Sequence, residues 1–306
     1  MMPNRAVNPL PPTALVGSYP PVVTPFAGGR VDLGTFEALV DRQVTHGSQG
    51  VVVTGTSGEP SVLSVAERLE LVRVAVRAAG GRLPVVAATG TESLAATLEL
   101  TLGAQKAGAD AVLVVTPYYI RPPQRGLEEY FVTVASQVEV PVLIYHIPGR
   151  ASVSLEVGTI TAIAERAPNL VGMKHASVEL ALITEVLHRL GPAFRVFAGL
   201  EELSLPMLAV GACGMMNAVG NLVPDRVAAL WHAADSGDLA AARKIHDELW
   251  ELNKAVFFDT NPIPIKYMLR RMGVLPNNEH RLPMASATSD LEARLDALLE
   301  RAGLLP

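Results

Sequence analysis

The sequence predicts an α/β fold: a (β/α)8 barrel, or TIM barrel, followed by a C-terminal helical extension. Short apolar, β-branched runs alternate with longer amphipathic stretches as far as Met216, a pattern typical of a parallel sheet covered by helices. There are eight such runs, and their near-even spacing favours closure into a barrel over an open doubly wound sheet. Beyond the eighth run only helical patterns follow.

Each element of the barrel has a local signal. The predicted strands are Gly17–Thr24, Gly50–Thr54, Pro84–Ala88, Ala111–Thr116, Pro141–Tyr145, Leu170–Met173, Phe194–Ala198 and Cys213–Met216. The predicted helices between them are Leu33–His46, Val65–Ala79, Ser93–Ala107, Gln124–Val138, Leu155–Ala167, Glu179–Arg189 and Glu201–Val210. Asp32 precedes the first helix as a capping residue, and Ser64 with Glu67 has the spacing of a capping box.

These patterns divide the chain into three parts: a flexible, proline-rich arm (1–14), the barrel as the catalytic domain (15–223) and a helical domain (224–306). The helical domain contains the patterns Pro224–Ser236, Asp238–Ala255, Pro262–Met272 and Ser289–Ala302. In (β/α)8 barrels the chemistry lies at the carboxyl ends of the strands, so the candidate site residues are sought there.

The composition excludes several classes of function. The 306 residues are 49% hydrophobic and carry a formal net charge of −5, which argues against nucleic acid or an anionic membrane as a partner. No apolar run reaches the length of a membrane span, and the N-terminus lacks the pattern of a signal peptide. Cys213 is the single cysteine, which fits a cytoplasmic protein. The seven histidines lack metal-site spacing, and His280 is interpreted as an ordinary surface or helix residue.

Lys174 is the one lysine of five that directly follows an apolar strand; Lys266, by contrast, lies at a predicted helix start. An amine in the apolar mouth of a barrel is desolvated, which disfavours the ammonium and favours the neutral, nucleophilic amine. Such an amine forms Schiff bases with carbonyl compounds. The alternative is a lysine at the barrel rim that pairs with a carboxylate.

Other strand ends carry groups that suit a Schiff-base enzyme acting on a 2-keto acid. Thr56 and Ser57 lie in a glycine-flanked turn that offers hydroxyl and N–H groups to a carboxylate. Tyr145 ends the strand before that of Lys174 and is a candidate for proton transfer, with Tyr119 as a further one. The alternative for each tyrosine is a core or interface residue.

The sequence resembles the dihydrodipicolinate synthase / N-acetylneuraminate lyase family of pyruvate-dependent class I aldolases. The matching segments, in order, are GSYPPVVTPF, GTSGEPSVLS, VTPYYIRPPQRGL, IYHIPGRAS, GMKHAS, FAGLEELSLPML and TNPIPIK. The resemblance extends from Gly17 to about Pro283. It implies a (β/α)8 barrel with a C-terminal helical domain, acting without a metal or other cofactor because the iminium itself is the electron sink.

The resemblance also implies roles for individual residues. Lys174 would form the Schiff base with pyruvate, and Tyr145 would transfer protons. Thr56 would link Tyr145 to Tyr119, which in the family reaches in from a neighbouring subunit of a homotetramer, a dimer of dimers.

Substrate binding is implied for a second set of residues. Thr56 and Ser57 would hold the pyruvate carboxylate, and Met216 would contact the same substrate through its backbone; Gly199 belongs with this set because it directly follows the seventh strand. Arg150 matches the arginine that binds the carboxylate of the second substrate in the synthases.

Departures from the family pattern leave the second substrate open. His146 and His175 stand where the synthases commonly have asparagine and an acidic residue, and His175 either alters the substrate preference or faces away behind the strand. Condensation of pyruvate with aspartate semialdehyde is the leading activity. The alternatives are another 2-keto-acid aldolase or lyase, of the dihydroxyheptenedioate or sialic-acid type, and a non-catalytic keto-acid-binding barrel. Val65 and Ala96 replace polar positions of the allosteric lysine site, so no feedback inhibition by lysine is expected.

Overall fold

A computed structural model describes residues 10–305 of the chain. Eight strands form one parallel sheet in the order β1-β10-β9-β8-β7-β6-β5-β4, and β2 and β3 form a separate hairpin. The strands are β1 Gly17–Ser18, β2 Phe26–Ala27, β3 Arg30–Val31, β4 Val51–Val53, β5 Val85–Ala88, β6 Ala111–Val115, β7 Val142–His146, β8 Leu170–His175, β9 Arg195–Ala198 and β10 Gly214–Met215. The predicted eight-stranded TIM barrel is therefore confirmed.

The barrel closes at β1, which is only two residues long. β1 pairs with β10 through Gly17 and Ser18 only, and an isolated parallel bridge between Pro21 and Val52 joins the chain to β4. The predicted strand Gly17–Thr24 was too long because Pro20 and Pro21 have no N–H group to donate to a ladder. Most of the predicted arm, residues 1–9, lies outside the described residues.

Helices follow the strands and cover the outside of the barrel. They are α1 Leu33–Thr45, α2 Val65–Ala79, α3 Leu94–Lys106, α4 Gln124–Ala135, α5 Pro148–Ala151, α6 Val157–Arg166, α7 Leu180–Leu190, α8 Ser204–Ala209, α9 Pro224–Asp235, α10 Leu239–Glu248, α11 Trp250–Ala255, α12 Ile263–Arg271 and α13 Ser289–Arg301. The capping box of α2 forms as predicted: Glu67 N–H donates to Ser64 Oγ, and Ser64 N–H donates to the Glu67 carboxylate. Asp32 caps α1. The single predicted helix Asp238–Ala255 is two helices, α10 and α11.

Side chains on alternate positions of each strand face the barrel interior or the helices. The interior is filled by residues such as Val52, Leu113, Leu143 and Phe197, and a larger apolar cluster lies between the strands and the surrounding helices. This alternation places successive residues of one strand in different surroundings. It decides which residues near the carboxyl ends reach the site.

Candidate active site

Lys174 and Tyr145 lie side by side on the inner face of the barrel. They are register partners in the ladder between β7 and β8, and the Lys174 Nζ atom lies 4.4 Å from the centroid of the Tyr145 ring. Lys174 is only 5% exposed. It stands within β8, which runs two residues further than predicted. Among residues 10–305 its ammonium nitrogen forms no ion pair, so the alternative of a rim lysine paired with a carboxylate is wrong for the described part of the chain.

The turn after β4 brings two hydroxyl groups to this pair. Thr56 and Ser57 belong to a short 3-10 helix, Thr56–Gly58. The Thr56 Oγ1 and Tyr145 hydroxyl oxygens are 3.3 Å apart and share a hydrogen bond. The buried Ser57 hydroxyl accepts a hydrogen bond from Nδ2 of Asn261, at 3.1 Å. Asn261 was given no role from the sequence, although its place in the matching segment TNPIPIK was a signal. In the structure it is buried, and its Oδ1 has no hydrogen-bond partner within the described chain.

Two cavities open on these residues. The first, of about 230 Å³, lies next to the amine and is lined by Lys174, Thr56, Ser57, Arg150, Gly199 and Met216. Gly199 leaves room for the lysine side chain, because a Cβ atom there would lie 2.9 Å from Lys174 Cε. The structure thus brings together every substrate-binding residue expected from the sequence.

The second cavity, also about 230 Å³, continues outward from the first. The two share Thr56, Tyr145 and Arg150, and the second extends to Tyr118 and to the buried Arg68. Arg150 follows β7 on the short helix α5 and is exposed. Its position between the cavities suits a cation that holds the anionic group of a second molecule while the first occupies the amine pocket.

Tyr119 is the one expected catalytic residue that the single chain keeps apart from the others. Its side chain is 88% exposed, and its φ of 71° is in the left-handed region, which is rare for a bulky residue. It lines neither cavity. The backbone therefore turns this ring away from its own barrel and towards solvent.

His146 and His175 form a buried pair on the opposite face of the same two strands. Nδ1 of His146 and Nδ1 of His175 are 3.0 Å apart and share a hydrogen bond, while Nε2 of His146 accepts from the Leu155 N–H and lies 2.9 Å from Ser154 Oγ. Burial lowers the pKa of His146 to about 3 and that of His175 to about 4. His175 faces away from the cavities, as the second of the two sequence interpretations held.

A buried ionic cluster joins the Thr56–Gly58 turn to the helical extension. Lys266 donates to Oε1 of Glu59 at 2.8 Å and to the Glu279 carbonyl, and His280 Nδ1 lies 3.0 Å from Oε2 of Glu59. The side chains of Lys266, Glu59 and His280 are at most 2% exposed. The interpretation of His280 as a surface or helix residue was wrong, since it is buried and lies in a loop. The burial of Lys266 was not predicted either, because the partner of both residues is some 200 residues away in the sequence.

The remaining expectations concern metal ions and membranes. Within residues 10–305 there is no cluster of three or more His, Cys, Asp or Glu side chains placed to hold a metal ion. No helix of the described chain is long and apolar enough to cross a membrane.

The fold and the cavities define a class of protein: a barrel enzyme with a buried amine at the carboxyl ends of its strands. A sequence model of the Dihydrodipicolinate synthetase family matches residues 14–302. A 4-hydroxy-tetrahydrodipicolinate synthase of Thermus thermophilus is 45% identical over 291 residues, which are 95% of this chain and 97% of the relative. The crystal structure of dihydrodipicolinate synthase from Aquifex aeolicus has a TM-score of 0.93 at 38% identity and covers 95% of this chain and 99% of its own. The chain belongs to the dihydrodipicolinate synthetase family, as its resemblance implied.

Proposed function

We propose that this protein condenses pyruvate with aspartate semialdehyde through a Schiff base on Lys174, the reaction of the 4-hydroxy-tetrahydrodipicolinate synthases to which it is similar. The observation that carries the proposal is the Lys174 amine, buried in a small cavity beside the Tyr145 ring and without an ion pair in the described chain. The proposal is supported by relatives of that name over nearly the whole chain.

The residues of the first cavity suit the steps on pyruvate. The neutral amine of Lys174 adds to the keto carbon, and loss of water gives an iminium. Loss of a methyl proton gives an enamine, with Tyr145 and its hydrogen-bond partner Thr56 as the proton carriers. The hydroxyl and N–H groups of Ser57 and its turn hold the carboxylate. After the enamine carbon has attacked the aldehyde, hydrolysis frees Lys174.

Arg150 supports an anionic aldehyde as the second substrate. Its side chain borders both cavities, so it can bind a carboxylate in the second cavity and still line the first. Another 2-keto-acid aldolase or lyase of the same family, of the dihydroxyheptenedioate or sialic-acid type, is the alternative. A non-catalytic keto-acid-binding barrel is disfavoured, because binding alone does not require an amine, a phenol and a threonine hydroxyl in one cavity.

The exposed Tyr119 supports a homotetramer built as a dimer of dimers, in which this ring enters the site of a neighbouring copy. We propose that the assembly acts in the cytoplasm. Sedimentation of the wild-type protein, with activity measured across the same concentrations, tests the assembly. Mixed Lys174→Ala and Tyr119→Phe subunits should recover activity that neither variant has alone, whereas a fully active monomer would overturn the shared site.

The Schiff base is tested by incubating the protein with pyruvate and borohydride and measuring its intact mass. We expect one reduced pyruvate per chain, absent from Lys174→Ala and retained in Lys254→Ala, whose lysine is exposed. An adduct that persists in Lys174→Ala refutes the mechanism.

The second substrate is tested by kinetics with aspartate semialdehyde and a panel of other aldehydes. Arg150→Ala should raise the KM for the semialdehyde far more than that for pyruvate, and Arg125→Ala, an exposed arginine outside both cavities, should leave both unchanged. If another aldehyde has a higher kcat/KM than aspartate semialdehyde, the proposed reaction is wrong and one of the alternative activities takes its place.

A further inference from the structure

Glu201 places a buried carboxyl group in the wall of the Lys174 cavity. It begins the 3-10 turn Glu201–Leu203 after β9 and is 2% exposed. Its Oε1 accepts a hydrogen bond from the Ala218 N–H at 2.5 Å. Its Oε2 is buried and has no hydrogen-bond partner within the described chain. Burying a carboxylate oxygen without a hydrogen-bond partner costs free energy. We therefore expect Oε2 to carry a proton or to bind a water molecule.

Glu201 also borders a further cavity, of about 460 Å³, between the Leu200–Glu202 segment and the helices α11 and α13. The two cavities share Leu200, Glu201 and Phe257. This further cavity is also lined by Asn253, whose buried Oδ1 has no hydrogen-bond partner within the described chain. Both cavities are large enough for water molecules. Glu201 therefore stands between the amine pocket and a second polar space.

The charges around Glu201 leave its carboxyl free to exchange protons. Lys174 on β8 acts on it through space and Arg150 on α5 lines the same cavity, but within the described chain neither forms an ion pair with it. Lys254 on α11 is held by Glu202 at 2.8 Å, and Arg294 on α13 lies over the Phe258 ring. Burial raises the pKa of Glu201 to about 7, against the lowering effects of the Ala218 N–H and of Lys174. A group of this kind both accepts and donates protons near neutral pH.

We propose that Glu201, through a bridging water molecule, accepts a proton from the Lys174 ammonium before imine formation and returns it when water leaves. In the first step the ammonium and the carboxylate become an amine and a carboxylic acid. The amine then adds to the keto carbon to give a carbinolamine. In the last step the carboxylic acid protonates the carbinolamine hydroxyl, the C–O bond breaks, and water, the iminium and the Glu201 carboxylate remain. The inference rests on the proposed Schiff-base function of Lys174.

The test separates this role from a structural one. Glu201→Gln keeps an acceptor oxygen for the Ala218 N–H but removes the titration, Glu201→Asp keeps a titratable carboxyl, and Glu202→Gln makes the same charge change one residue away. The rate of imine formation with pyruvate is measured by rapid borohydride trapping from about pH 6 to pH 9. Thermal unfolding of each variant records whether it is folded.

The wild-type rate should rise through neutral pH as Glu201 ionises and then level off. Glu201→Gln should be about 100-fold slower at about pH 8, in the range of general acid–base contributions, and should show no levelling, because its rate then depends only on the free amine of Lys174, which increases with pH. Glu201→Asp and Glu202→Gln should keep the wild-type profile. A wild-type pH profile in Glu201→Gln overturns the inference and leaves the Schiff base standing. Failure of the wild-type protein to trap pyruvate overturns the proposed function and this inference together.

Discussion

Replacing Lys266 by methionine removes the positive charge of this lysine from the buried cluster and leaves the negative charge of Glu59. The Glu59 carboxylate, 1% exposed, would keep His280 as its single side-chain partner and would lose the donor at 2.8 Å. Methionine has nearly the length of the lysine stem, so the packing against the Phe26 ring changes little. The main effect is therefore that the buried Glu59 carboxylate loses an ion-pair partner. We expect Lys266→Met to lower the free energy of unfolding by about 3–5 kcal/mol.

Equilibrium urea denaturation measures this difference, and the chain provides its own controls. Lys254→Met breaks an ion pair whose side chains are 49% and 41% exposed, and it should cost about 0–1 kcal/mol. Combining Lys266→Met with Glu59→Gln removes both charges and should recover most of the lost stability. If Lys266→Met costs no more than Lys254→Met, the buried cluster does not stabilise the fold as described.

Three further predictions concern the site and its surroundings. Gly199→Ala should slow imine formation sharply in the borohydride assay, because the added Cβ would crowd the Lys174 side chain; an unchanged rate would contradict the close approach. Burial lowers the pKa values of His146 and His175 in the folded protein below those in the unfolded chain. The free energy of unfolding should therefore be highest above about pH 6.5 and should fall as the pH drops towards the pKa values of the folded protein. The lowered pKa of His175 alone should reduce the free energy of unfolding by about 2 kcal/mol between about pH 7 and pH 5, and His175→Asn should remove about half of the pH dependence of the urea midpoint, because His146 still titrates. Lysine should neither inhibit the enzyme nor raise its melting temperature, since Val65 supplies no polar contact at the site that inhibited relatives use; inhibition in a steady-state assay would disprove this.

Much of the barrel was predictable because its signals are local. Runs of β-branched residues bounded by helix caps located all eight strands, and the capping box of α2 required only Ser64 and Glu67. The hairpin of β2 and β3 was missed, although Gly28 and Gly29, at φ values of 57° and 76°, make its turn. The two-proline interruption of the first strand was missed in the same way.

The parts that could not be predicted depend on long-range contacts. Residue type alone indicated that Lys174 lies at a strand end, but not that it has Tyr145 as its register partner. Nothing near Lys266 or His280 in the sequence indicates a carboxylate, because Glu59 comes from the far side of the fold. Glu201 was predicted only as the first residue of a helix, since its burial depends on how the chain after β9 meets Ala218.

Along β7 and β8, neighbouring residues face opposite sides of the sheet, so residues that are adjacent in the sequence have different roles. Lys174 and Tyr145 face the cavity, whereas their immediate neighbours, His175 and His146, contact each other on the other side of the strands. A substitution at either histidine therefore changes a packing contact and leaves the groups that line the cavity in place. A library meant to change substrate choice should vary positions two residues apart on these strands and the turns beyond them, and should leave the residues between them intact.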